Sequence, residues 1–265
     1  MAGKKVTKRK ANGGLPVSVQ AEMDKELDAL ADKIGSAGGD NISVKGKIFT
    51  FPDGHQEEGP FGFVVVNFVS ANLWWEEVYD EKNPTPPDCW AFGLNPKKMV
   101  ASKNSVELQN DETCNDCPQN VYGSGVGDSK ACKNTRLLGV VAGDSDDDED
   151  PILKLSVSPT GLRNWDGYVN TLKAKGILPI QVITEIDFDA NQTYPKLIFK
   201  MVTPNPNAEI HWGRRKEAEE LLLVEPDPSA FAERTPARGG RKTSKKTAKK
   251  TAKKKGGRSA GSRRV

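Results

Sequence analysis

Apolar residues recur at two different periods along this chain, and the changes of period mark out its elements. From Pro16 to Ile34, Met23, Leu27, Leu30 and Ile34 fall three or four positions apart, which predicts an amphipathic helix stopped by Gly35. Ser36 to Asp40 reads as a linker. Ile42 to Phe51 alternates in part and closes on Pro52-Asp53-Gly54, the pattern of a strand and its turn. Phe61 to Val69 is almost continuously apolar, as expected of a strand buried at the centre of a sheet. Leu137 to Val141 and Ile152 to Val157 predict two more strands. Leu162, Trp165, Val169 and Leu172 share one helical face, so Leu162 to Ala174 predicts a helix, ended by Gly176. Pro179 to Phe188 and Tyr194 to Val202 predict paired strands joined by residues 189–192. Lys216 to Val224 predicts a last short helix.

These elements predict an α+β protein rich in β structure: an OB-like barrel or a small twisted sheet with flanking helices. Four segments follow from the same text. Residues 1–15 are a basic N-terminus, expected to be disordered, and residues 16–36 are the amphipathic helix and linker. Residues 37–225 are the β-rich core, with a loop-rich insert at about 89–136. Residues 226–265 are a Lys/Arg-rich tail, which has little apolar surface to bury and is also expected to be disordered.

Charge changes this picture more than composition does. The net charge of +3 hides an asymmetry. Residues 234–265 carry 14 Lys and Arg and no acid, and residues 1–10 carry 5 more. Residues 11–233 carry 20 basic and 36 acidic side chains, a net of −16. An acidic body therefore has a cationic arm at each end. The C-terminal arm is built on a near-repeat that contains Lys245, Lys246, Lys249, Lys250 and Lys253-Lys254-Lys255. Such an arm attracts polyanions in a strongly salt-dependent way. Asp144 to Asp150 holds six acids in seven residues and reads as an exposed loop. The basic N-terminus has no apolar run behind it, and the longest apolar stretch is too short to span a bilayer. The expectation is a soluble, cytoplasmic protein with no membrane partner.

The sharpest chemical signal is the set of four cysteines: Cys89, Cys114, Cys117 and Cys132, spaced C-x24-C-x2-C-x14-C. A C-x2-C turn sets two thiolates at the separation one tetrahedral ion needs, and a flanking cysteine on each side completes the shell. A structural zinc ion is the first reading, and four thiolates leave no open position for catalysis. Disulfides or free thiols, and an iron–sulfur cluster, are the alternatives.

Other motifs are weaker. The loop Tyr122 to Lys130 is glycine-rich, but Ser129 stands where a phosphate-binding loop needs glycine before its lysine, and Ala131 follows Lys130. It reads as a flexible connection back to the fourth cysteine, with Lys130, Lys133 and Arg136 as a local basic cluster. Trp74, Trp75, Tyr79 and Trp90 are candidates to stack on unpaired bases, with ordinary core packing as the competing reading. Glu185, Asp187 and Asp189 alternate along one strand. That is the pattern of a wet strand face, and more weakly of a Mg²⁺-dependent nuclease. Neither His55 nor His211 has partners in a recognisable catalytic pattern.

With these residues in view, the chain resembles a group of phage-encoded four-cysteine proteins of replication and recombination. The resemblance rests on Trp74-Trp75 ahead of Asn83-Pro84 and Pro87-Asp88-Cys89, then Cys114-x2-Cys117-Pro118, Gly123-Ser124 and Lys130-Ala131-Cys132-Lys133. A strand–helix–strand unit over 152–188 extends it, and it spans about residues 42–202. It implies single-stranded DNA binding on an OB-like barrel, in the host cytoplasm, with replication or recombination proteins as partners. The expectation is therefore a non-enzymatic nucleic-acid-binding protein for single strands. A protein–protein adaptor with an acidic body, tethered to DNA by its tail, is the alternative, and the nuclease a weaker one.

Overall fold

A computed structural model describes residues 40–77 and 85–227. The chain divides into two units after Asp227, and all described residues lie in the first. The N-terminal segment, the helix expected over 16–34, Tyr79 and the lysines of the tail lie outside the described residues.

Nine strands form one sheet. They are β1 (Asn41–Lys45), β2 (Ile48–Thr50), β3 (Gln56–Glu57), β4 (Phe61–Trp74), β5 (Cys89–Gly93), β6 (Lys133–Ala142), β7 (Leu153–Val157), β8 (Val182–Phe188) and β9 (Leu197–Pro204). Their order is β3-β2-β1-β7-β6-β4-β8-β9, with β5 also paired to β4. Only β1 and β7 run parallel; the other pairs are antiparallel, so the sheet is mixed. β1 and β2 are joined by Gly46 and Lys47, with φ of 54° and 65°. Two positive φ values match the twist of a tight hairpin, and Lys47 is a non-glycine residue holding one of them.

The sheet curls into a half-barrel. Phe49 on β2 stacks on Phe188 on β8, with ring centroids 4.5 Å apart, although four strands separate them in the order. Lys47 Nζ donates to the Asp189 carbonyl at 3.1 Å beside this contact. Few helices accompany the sheet: α1 (Leu162–Ala174), α2 (Ala208–Gly213) and α3 (Arg215–Leu222). The protein is a β-rich α+β protein.

Strand β4 explains the layering. Phe63 and Val65 join one apolar cluster with Trp165, Tyr168 and Leu172 of α1; Val64 and Val66 join another with Ala218 of α3. The strand is therefore buried on both faces, as its continuous apolar run predicts. Burying a side chain of this size contributes about 1.5–3 kcal/mol. Trp165 meets Phe68 and Phe199 edge-on, at 5.2 and 5.1 Å. On the other face Gly139 admits α3, because a Cβ there would lie 3.2 Å from that of Ala218. The register of β4 against β6 shifts between Val65 and Asn67, and Asn67 then donates to the Arg215 carbonyl. The shift reverses the alternation, so that Phe68 packs on the same cluster as Phe63 and Val65.

Several expectations hold with shifted ends. The helix over 162–174 stands as expected, and the pair expected at 179–188 and 194–202 is β8 and β9. Residues 179–181 are instead a short 3₁₀ turn, whose Pro179 has no N–H to give a ladder. Among the described residues no helix is long and apolar enough to cross a membrane.

Candidate metal centre

The cysteine insert hangs from the far end of β4. Trp74 pairs with Cys89 of β5 on one side, and Leu73 pairs with Lys133 of β6 on the other. Cys89 thus opens β5, and Cys132 immediately precedes β6. They sit two strand spacings apart, about 9–10 Å across the sheet. Between them the chain has little regular structure: a 3₁₀ turn at Pro118–Asn120 and a single bridge from Val100 to Thr113. That bridge, with Cys114 N donating to Met99 O at 2.8 Å, brings the C-x2-C turn against the start of β5.

All four cysteines are buried free thiols. They line a single cavity of about 20 Å³ together with Asn72, Trp74, Trp90 and Asn120. A volume of that size admits about one water-sized sphere. Burial pushes the Cys132 thiol up to about 12, helped by the charges of Cys114, Cys117 and Cys89 and opposed by Lys130. Burial also raises Cys114, against a hydrogen bond from Asn72 and with help from Cys89 and Cys117. The thiols are near enough to repel one another once ionised. Among the described residues, however, no group of three or more His, Cys, Asp or Glu side chains is gathered in an arrangement that holds a metal ion. Two strand spacings between Cys89 and Cys132 are wide for one ion, so both side chains have to lean toward the middle to share it.

The loop from the third cysteine to the fourth is closed by its own hydrogen bonds. Gly123 and Gly125 N–H both donate to Ser129 O, at 3.1 and 2.9 Å, and Cys132 N donates to Gln119 O at 2.8 Å. Ser124 Oγ accepts from Ala131 N at 3.0 Å. Gly125 is required here, because a Cβ would lie 2.7 Å from Ser129 Oγ and 2.8 Å from the Lys130 carbonyl carbon. The N–H groups of Gly123, Ser124, Gly125, Ser129 and Ala131 are spent inside the loop. The connection back to the fourth cysteine is thus a knob closed by its own hydrogen bonds.

The aromatic candidates separate. Trp90 is 1% exposed, so neither face of its ring is open to a base. Its buried indole N–H makes no direct hydrogen bond. Nearby, the Glu225 carboxyl is held below its ordinary value. Burial works to raise that carboxyl, and bonds from Asn104 and Ser102 outweigh it. Trp74 packs on Cys89, Ala91, Met99, Ala101 and Cys114 as a wall of the cysteine cavity. Trp75 is half-buried and donates Nε1–H to Thr85 O at 3.0 Å. Tyr79 lies outside the described residues.

The basic cluster does not form one open groove. Arg136 is largely buried, with Nη2 3.6 Å from Asp166 Oδ1. Lys133 Nζ donates to Lys130 O, and Lys130 Nζ donates to Asn120 Oδ1, both at 3.1 Å. The lysines expected to meet nucleic acid from the tail, Lys245 to Lys255, are outside the described residues.

The carboxylates of β8 lie on its half-buried face, alternating with buried Thr184, Ile186 and Phe188. Glu185 pairs with Lys200 and Asp189 with Lys196, each at 3.4 Å. That is the wet strand face, with two of its three carboxylates paired to lysines.

Sequence reading missed two arrangements. His211 is fully buried; Asn205 Nδ2 lies 3.0 Å from its Nδ1, and Ser145 Oγ lies 3.3 Å from its Nε2. Burial, then the charge of Arg214, lowers its pKa, so the neutral imidazole accepts from Asn205 and donates to Ser145. None of the cavities described includes this trio, which pins α2 to the acidic loop. The second is an aromatic–cation pair on the knob: Tyr122 is 78% exposed, with Lys130 Nζ 5.1 Å from its ring centroid. The exposed Tyr122 was legible only as one residue of a glycine-rich loop.

No protein-family model matches this chain, and no curated protein or solved structure is similar to it.

Proposed function

We propose that this chain is a non-enzymatic nucleic-acid-binding protein that favours single strands, with a zinc ion closing its four-cysteine insert. The observation that carries the reading is the partition of charge. The insert, residues 89–136, has six Lys and Arg against five acids, while the rest of residues 40–227 has 12 against 25. The insert, which carries the exposed tyrosine, is close to neutral within an acidic body, and the cationic arms add attraction that is independent of sequence.

Cys89, Cys114, Cys117 and Cys132 would hold the zinc. The donor chemistry fits: all four sulfurs line one cavity sized for one sphere, with no carboxylate or imidazole among its lining residues. When bound, the ion supplies cross-linking of the insert and no catalysis. Because burial keeps the Cys132 thiol protonated, binding must displace its proton, and occupancy will fall as pH falls. The finer parts of this reading are an OB-like barrel, a phage origin in the host cytoplasm, and replication or recombination partners. The curl of the sheet favours the first, and the others rest on the four-cysteine resemblance alone.

The test is titration of the whole chain, and of a chain ending at Asp227, with single-stranded and duplex oligonucleotides over a range of salt. The whole chain should bind both. The shortened chain should keep single-strand binding and lose most duplex binding. A shortened, folded chain with no single-strand binding at low salt removes this reading and favours the acidic adaptor.

A further inference from the structure

The geometry points to Tyr122 as the stacking platform for one unpaired nucleobase, with Lys130 placed for the adjoining phosphate. The proposal rests on the single-strand reading above and names the residues that would carry it.

Four observations converge on this site. Tyr122, Trp212 and Tyr194 are the exposed aromatics among the described residues, at 78%, 51% and 44%. The first two each carry a cation, Arg215 4.4 Å from the Trp212 centroid and Lys130 Nζ 5.1 Å from that of Tyr122. What separates the Tyr122 ring is its greater exposure and the hydrogen-bonded loop beneath it. Its orientation is set by Lys130 Nζ, which Asn120 Oδ1 anchors in turn. The backbone beneath it is fixed by the Gly123, Gly125 and Ser129 hydrogen bonds. A ring held in advance loses little entropy on meeting a base, and every base offers a π face.

The root of the knob also ties it to the cysteines. Cys132 N donates to Gln119 O, and Asn120 Nδ2 donates to Cys114 O at 2.7 Å. Asn120 thus touches both the C-x2-C turn and the lysine that holds the ring. Anything that closes the cysteine cavity stiffens the platform.

The experiment uses the full chain with fluorescent oligo-dT and oligo-rU, at salt high enough to screen the cationic arms, and an unlabelled duplex as competitor. Tyr122→Ala should weaken single-strand binding roughly 5- to 100-fold, while Tyr122→Trp should retain it. Lys130→Ala should lower the salt slope by about one. The two oligonucleotides separate DNA from RNA as the source of the base. A 5-iodouracil oligonucleotide should cross-link to Tyr122 on peptide mapping. Unchanged single-strand affinity in folded Tyr122→Ala, equal weakening for duplex, or cross-links confined to other residues overturns the platform and leaves the single-strand reading intact. Failure of the unaltered chain to bind either oligonucleotide overturns both.

Discussion

Along β4 and β6 the chain buries apolar side chains on both faces of a sheet, and α1 and α3 cover them. Between Leu94 and Cys132 it buries only Met99, Ala101 and three cysteines. The same stretch carries seven of the fourteen exposed large apolar side chains among the described residues, so it cannot be held by buried area. What it has instead is local: serine and asparagine side chains bonded to nearby carbonyls, glycine turns and a ring of thiols. The difference teaches that the two regions answer to different chemistry. The sheet should fail when volume is removed, and the insert when its sulfurs are changed.

Trp165→Ala should have the largest effect. It empties a fully buried site in contact with Phe68 and Phe199, and should cost about 3–5 kcal/mol. Urea unfolding followed by circular dichroism measures it, and a loss below about 1 kcal/mol would mean that α1 is not part of the core.

Cys117→Ser sharpens the comparison. Elemental analysis of the unaltered protein, purified without added metal, should give one zinc per chain, and the variant should give none. Hydrogen exchange should then rise in residues 94–132, while the urea midpoint of the sheet moves far less than in Trp165→Ala. Two mapped disulfides with no zinc would remove the metal reading. An equal shift in midpoint would erase the distinction between the regions. In metal-free protein Cys132 should alkylate slowly at mild alkaline pH, since burial leaves little thiolate there.

Gly139→Ala should cost about 1 kcal/mol or somewhat more by pressing α3 off β6, with no change in metal content. The smallest effect concerns pH. His211 titrates below its ordinary value of 6.5 in the folded chain, so the unfolded chain binds more protons in the window beneath that value. Stability should fall as pH drops through this window, and His211→Gln should flatten the slope. An unchanged slope would move the acid sensitivity elsewhere.

Much of the sheet was legible in the sequence because burial on one or two faces writes a period. The apolar run from Phe61, the 162–174 helix and the alternation of β8 all did so. The continuation of β4 to Trp74 was not legible, because Asn67, Ser70 and Asn72 break the apolar run; only the fold supplies partners such as Arg215 O and Asn134. β5 was hidden for a similar reason, being short and ending in glycine. For the tryptophans, base stacking and core packing both stood open; Trp74 and Trp90 line the cysteine cavity, a contact made across strands that no local pattern records. The buried Ser145–His211–Asn205 trio joins residues up to 66 positions apart and leaves no periodic trace. Spacing alone could name the four cysteines, since metal-ligand chemistry is written in residue type.

The long β4 strand also has a mechanical meaning. It runs along β6 from Phe63 to Leu73 and ends where the insert begins. A filament bound to the insert and pulled along the strand axis would load that whole ladder in shear, so many hydrogen bonds would share the force at once. The same pull directed across the sheet would peel β5 from β4 one pair at a time. The protein is thus built to resist tension from one direction and yield to it from another.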